Sequence, residues 1–168
     1  DAIKHFVESA QQTQWGENTL FILVADHGAN LPCPYEMVLP YHKIPVYIFG
    51  AGITPSIVEQ PTSQIDIWPT VLSILGIDYN NNSLGIDILH NQRPYAFFVS
   101  DDYLGVSDGE YFWCYGIQTQ REVLYRMGSG ENILAEEPER ATEMRTFGMN
   151  MQRVNLMAID NKWTEPCE

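Results

Sequence analysis

The stretch Thr19-Leu20-Phe21-Ile22-Leu23-Val24-Ala25-Asp26-His27-Gly28 is an apolar run that ends abruptly in a carboxylate, an imidazole and a glycine. A run of that length, rich in β-branched and aromatic residues, predicts a strand over 19–25 buried on both faces. In open α/β sheets, ligands bind just beyond the carboxyl ends of such strands. Asp26 and His27 stand there, and both are good donors to a divalent cation, one through oxygen and one through imidazole nitrogen. Adjacent strand residues point to opposite faces, so the two reach one ion only if the chain bends at the strand end. Gly28 relieves the steric cost of that bend. On spacing alone a strand-end Asp beside a structural His is the better fit.

The flanking pattern supplies the layers such a strand needs. Ile3, Phe6, Val7 and Ala10 fall at i, i+3, i+4 and i+7, which predicts an amphipathic helix closed by Gly16. Helix followed by buried strand suggests α/β layering. A loop over 28–42 holds Pro32, Pro34 and Pro40, and a second apolar run, 44–49, precedes Gly50-Ala51-Gly52. Neither run alternates, so the two strands are expected to lie parallel in one sheet. Residues 63–75 read as a helix with a Ser63/Asp66 capping box, Pro69 near its start and Gly76 at its C-terminal cap. Past the Asn80–Ser83 turn the character changes. Residues 95–100, 110–115 and 123–127 read as antiparallel strands split by Asp-Gly and Gly-Ser-Gly turns, and Phe147, Met151, Val154 and Ala158 mark a closing helix. The expectation is an α/β part over 1–90 and a β-rich part with a helix over 91–168.

Composition narrows the functions open to such a chain. A formal net charge of −13 argues against a nucleic-acid binder, whose affinity rests on clustered Lys and Arg. At 168 residues and 45% hydrophobic content the chain suits one domain with a sizeable core. Its three cysteines cannot all pair; Cys33 and Cys114 bridge only if the fold joins them, and Cys167 reads as a tail thiol. No segment reaches the ~18–20 apolar residues of a membrane span. The chain opens without Met inside an expected helix, which reads as a piece of a larger protein.

Leu23-Val-Ala-Asp-His-Gly28 resembles the metal-binding motif of the alkaline phosphatase superfamily, in particular its sulfatase and lipoteichoic-acid-synthase-like (phosphoglycerol transferase) branches. Ile44–Ile53 resembles the family's next core strand, Gln64–Ile77 its characteristic helix, and Asp108-Gly-Glu-Tyr-Phe112 the hairpin of its C-terminal subdomain. The resemblance runs from about residue 1 to about 150. It implies the C-terminal portion of an α/β sandwich with a mainly parallel sheet, carrying a small antiparallel β element and a terminal helix. It also implies that Asp26 and His27 hold a divalent metal (Mn, Mg, Zn or Ca) in an enzyme acting on phosphate or sulfate esters. The family nucleophile lies upstream of the Asp-His pair, so it and further metal ligands belong to a missing N-terminal part of the same domain. This leaves no catalytic residue in the chain, which is expected to be inactive alone. An extracytoplasmic, membrane-anchored parent goes with that reading.

The other polar candidates weigh less. His42 could touch an anionic substrate and Lys43 a phosphate or sulfate, or both could be solvated loop residues. Asp66 fits a helix cap better than a catalytic acid, while His5 and His90 fit structural or exposed roles. Trp68, Phe112 and Trp113 are expected in the core. The sulfatase hallmark Cys/Ser-x-Pro-x-Arg is absent, which carries no weight because the resemblance places it upstream; the segment 35–43 lacks the Glu-Gly-Gly element of many sulfatases, and that tilts the reading toward phosphoglycerol transferase. A sulfatase and a non-catalytic domain stay open as alternatives.

Overall fold

A computed structural model describes residues 1–50 and 52–163. Cys167 lies outside the described residues. The chain forms two compact units, one of Asp1–Cys33 with Val38–Ile57, the other of Pro34–Met37 with Val58–Glu168.

In the first unit helix α1 (Ala2–Ala10) leads through a short turn into strand β1 (Leu20–Val24), and the one-turn helix α2 (Leu39–His42) leads into strand β2 (Val46–Gly50). Phe21 organises the packing. Its ring stacks on Phe49 of β2 at 5.2 Å and takes the edge of Phe6 from α1 at 6.0 Å. The two strands pair antiparallel, Leu20 opposite Gly50 and Val24 opposite Val46, which corrects the parallel arrangement expected. An unbroken apolar run sets burial, not direction, and a parallel pair needs a crossover that a covering helix usually supplies. Between β1 and β2 this chain offers only the four residues of α2. Nor are the strands buried on both faces: Val24, Val46 and Tyr47 are exposed.

The second unit begins with helix α3 (Ile67–Ile74) and continues as an antiparallel sheet in the order β3 (Ala96–Ser100), β4 (Tyr103–Ser107), β5 (Tyr111–Gly116), β6 (Glu122–Arg126). Among the described residues every strand pair is antiparallel. The capping box of Ser63 and Asp66 opens the α3 region as expected. A Schellman arrangement closes it, with Gly76 N–H donating to Ser73 O and Ile77 N–H to Leu72 O, each at 3.0 Å. Trp68, expected in the core, points outward at 65% exposure, because Pro69, Thr70, Val71 and Leu72 form the buried side of this short helix.

Helix α4 (Pro138–Asp160) covers one face of the sheet. Val106, Trp113 and Leu124 stand in register there and form the core with Leu104, Tyr111 and, from α4, Ala141 and Met144. The buried face of α4 thus uses Ala141, Met144 and Gly148, whereas Val154 of the expected stripe is exposed. Glu122 clamps helix to sheet, accepting from Arg145 Nε at 2.8 Å and from Trp113 Nε1 at 2.6 Å. Residues 34–37 cover the other face. Tyr35 packs against Phe112 and Tyr125, its hydroxyl accepts from Gly128 N–H at 2.8 Å, and Tyr125 donates to the Glu36 carboxylate. Met37 lies on Gly105, where an added Cβ would come within 2.9 Å of its sulfur and 2.6 Å of the Phe98 ring. Strand β4 was not expected from the sequence; that mid-strand glycine hid it.

Candidate functional site

Beyond the end of β1 the chain turns sharply, and the turn places Asp26 and His27 side by side. The Asp26 carboxylate accepts the His27 backbone N–H through Oδ1 at 2.8 Å, an interaction that bends the side chain back over its neighbour. His27 Nδ1 lies 2.8 Å from Gly28 O. A carbonyl only accepts, so Nδ1 carries the proton and, in the neutral ring, Nε2 keeps its lone pair. That Nε2 faces Asp26 Oδ2 at 3.7 Å. The pair is open to solvent, with the Asp26 side chain 87% and the His27 side chain 49% exposed.

Gly28 is required here by space, not by a left-handed backbone. A Cβ on it would lie 2.1 Å from Pro40 O and 2.9 Å from Lys43 O. Its N–H donates to Tyr41 O at 2.7 Å, so the 40–43 turn is locked onto the strand end. The Tyr41 ring then lies almost flat on the His27 imidazole, with centroids 4.4 Å apart and planes at 13°. His42 meets the same tyrosine edge-on at 5.5 Å and 79°. The structure therefore brings Asp26, His27 and Tyr41 together, with His42 bordering Tyr41. Tyr41 was not singled out in the sequence. A loop aromatic fourteen residues beyond the imidazole it stacks on leaves no local pattern.

A neutral imidazole nitrogen and a carboxylate oxygen turned toward each other are a suitable donor pair for a divalent cation. Two donors make half a site: among the described residues no group of three or more His, Cys, Asp or Glu gathers in a way that could hold a metal.

The other candidates resolve into structural roles. Asp66 is buried, accepts Ser63 N–H at 2.8 Å and Ile86 N–H at 2.9 Å, and receives Arg93 Nη2. It ties the start of α3 to the loop around residues 86–93. His90 Nδ1 lies 2.6 Å from Asp87 Oδ2 and 3.4 Å from Ser73 Oγ. Both partners meet the same nitrogen, so the trio lacks the relay in which a base uses its two nitrogens for two partners. His5 contacts Ser9 Oγ at 3.2 Å on the face of α1. Lys43 is exposed. Cys33 and Cys114 form no disulfide, and burial together with the Glu36 carboxylate pushes the Cys114 thiol up to about 12.

Residues 1–77 match the sulfatase family model. A curated relative, the lipoteichoic acid synthase-like YvgJ of Bacillus subtilis (strain 168), is 26% identical over 129 residues, which is 62% of this chain and 21% of the relative. The chain thus spans about a fifth of that protein. Among solved structures, an alkaline phosphatase superfamily protein from Vibrio parahaemolyticus superposes with a TM-score of 0.66 at 22% identity, covering 99% of this chain and 41% of the other. The phosphonate monoester hydrolase of Silicibacter pomeroyi gives 0.66 at 19% identity, over 92% and 38%. A 2-O GAG sulfatase gives 0.66 at 18% identity, over 99% and 42%. These three share the fold. The resemblance read from Leu23–Gly28 and the segments after it, to the sulfatase and lipoteichoic-acid-synthase-like branches of the alkaline phosphatase superfamily, is borne out.

Proposed function

We propose that residues 1–168 are the C-terminal part of the catalytic domain of a metal-dependent enzyme acting on phosphate or sulfate esters, of the phosphoglycerol transferase kind. The observation that carries this reading is the Asp26–His27 pair, with an imidazole Nε2 and a carboxylate Oδ2 3.7 Å apart beyond the end of β1. Asp26 would supply negative charge and His27 a neutral nitrogen to a divalent ion, Mn, Mg, Zn or Ca. Such an ion, when bound, polarises an anionic ester oxygen and lowers the pKa of a hydroxyl nucleophile. The chain's own part is to orient the donors. The Gly28 carbonyl fixes the imidazole tautomer, and the 40–43 turn holds Gly28. His42, next along that turn, is a weak candidate for touching the anionic substrate.

Among the described residues, two donors fall short of the three protein ligands usual in a catalytic metal site. On this reading the remaining ligands and the nucleophile would belong to an N-terminal part of the same domain. The chain alone binds metal weakly and turns nothing over. The extracytoplasmic side of a membrane, with an anchored parent, is the location that suits a lipoteichoic-acid-synthase-like activity.

Sulfate ester hydrolysis is the second reading, favoured by the match of residues 1–77 to the sulfatase family model. Assays of the full-length protein with phosphatidylglycerol, nitrophenyl phosphate and nitrophenyl sulfate separate the two. Metal-dependent release of diacylglycerol that Asp26→Ala abolishes, with the fold intact, is the expected result. Preference for the sulfate ester would favour the second reading. Near-normal turnover by Asp26→Ala would refute the metal assignment.

A further inference from the structure

We propose that Tyr41 is the positioning residue of the Asp26–His27 pair, its ring holding the His27 imidazole in the plane that turns Nε2 toward the Asp26 carboxylate. This inference rests on the metal reading above and adds to it the residue that makes the pair a pair.

His27 is half open to water, and an exposed imidazole on a strand end normally samples several rotamers. Here the ring is restrained on two sides. Its Nδ1 edge is tied to Gly28 O at 2.8 Å, and one of its faces lies on the Tyr41 ring, 4.4 Å away and 13° from parallel. The first restraint sets which nitrogen is protonated. The second sets the plane, and together they leave Nε2 facing Asp26 Oδ2 at 3.7 Å. The tyrosine can act as a fixed wall because its own backbone is fixed: Tyr41 O accepts Gly28 N–H at 2.7 Å, and Tyr41 N–H donates to Val38 O at 3.0 Å. The close approach of Gly28 to Pro40 O and Lys43 O holds the turn against the residue that follows His27. Tyr41 therefore bears on the site twice, through a carbonyl that every residue has and through a ring that only an aromatic residue supplies. The ring is the part a substitution can test. Groups that orient a ligating histidine in this way commonly shift metal affinity by about tenfold or more when removed.

The experiment uses the 168-residue chain and its Tyr41→Phe and Tyr41→Leu variants. Imidazole ¹⁵N and ring-proton spectra report the His27 tautomer and the ring-current shift from a stacked aromatic. Titration with Mn²⁺ alone, read as paramagnetic broadening of the Gly28 and Tyr41 backbone amide signals and, where the imidazole is present, of the His27 ring signals, reports weak binding without any turnover. In wild type the His27 ring protons should be shifted upfield, and broadening should require both Asp26 and His27. Tyr41→Phe should preserve both signatures. Tyr41→Leu should remove the upfield shift and raise the Mn²⁺ concentration for half-broadening roughly tenfold, while backbone amide signals of the second unit stay in place. Unchanged Mn²⁺ broadening in Tyr41→Leu, with Asp26→Ala and His27→Ala still abolishing it, would overturn the role of Tyr41 and leave the metal pair standing. Broadening indifferent to Asp26→Ala and His27→Ala would overturn both.

Discussion

Substituting Gly28 by Ala tests the site's architecture most directly, because the consequence can be worked from two distances. The new Cβ would lie 2.1 Å from Pro40 O and 2.9 Å from Lys43 O, both inside the 3.0 Å that real Cβ contacts essentially never breach. Both obstacles are backbone carbonyls, so no side chain can swing aside. The 40–43 turn must move away from the strand end by about an ångström, straining the 2.7 Å bond from Gly28 N–H to Tyr41 O. Overpacking typically costs about 1–3 kcal/mol, and an obstacle made of backbone belongs at the upper end. For a chain of this size that is a fall of roughly 6–12 °C in Tm. Circular dichroism melting measures it. The same displacement carries the Tyr41 ring off His27, so the imidazole signals should shift together with the loss of stability. A Tm within about 2 °C of wild type, with unchanged His27 ring signals, would refute the close-approach argument and with it the account of why a glycine follows the Asp-His pair.

Three other outcomes follow from groups elsewhere in the fold. Asp66→Asn removes the charge opposite buried Arg93 while keeping the shape, and should cost about 3–5 kcal/mol in urea unfolding; adding Arg93→Met should recover part of that loss, and additive costs would sink the coupling. Burial alone would raise the Asp87 carboxyl, but hydrogen bonds from Ser73, His90 and the Leu89 N–H outweigh it and hold it below its usual value. A lowered folded-state pKa gives stability that is fully present above the unfolded value of about 4 and lost as pH falls through the folded one, so Asp87→Asn should flatten the acid limb of the stability profile below about pH 4 and leave the fall from neutral pH to that point unchanged. The Cys114 thiol, pushed up to about 12 by burial and by Glu36, should resist iodoacetamide at pH 8 until the chain unfolds; peptide mass spectrometry showing it labelled in the native protein would contradict that burial.

Legibility from sequence tracked how local the physics was. The capping box at Ser63 and Asp66, the Gly76 stop and three of the four strands of the second unit were readable because each is set within a few residues. Strand direction was not. The antiparallel pairing of β1 with β2 depends on what links them, and an apolar run carries no mark of direction. Strand β4 escaped because Gly105 sits at its centre, and the need for that glycine lies in Phe98 and Met37, distant in sequence on the same sheet face. The stripe expected on the last helix failed at Val154 because its packing on β4 and β5 runs through Ala141, Met144 and Gly148, small or flexible residues that weigh little in a count of apolar positions.

The site divides along the same line. Asp26 and His27 could be named because donor atoms and a strand end are properties of adjacent residues. What makes them face each other could not, since it is built from a turn fourteen residues on. The Gly28 carbonyl sets the proton on His27, but Pro40, Tyr41 and Lys43 set where Gly28 and the imidazole plane can be. A sequence motif of three residues therefore specifies the chemistry of the donors and leaves their geometry to the loop that returns over them. Two chains with the same Asp-His-Gly and different 40–43 turns should then differ in how the imidazole faces the carboxylate, on which the proposed cation site depends. Grafting Leu for Tyr at position 41 is the smallest version of that comparison, since it alters the returning turn at one side chain and leaves every donor atom of the motif untouched.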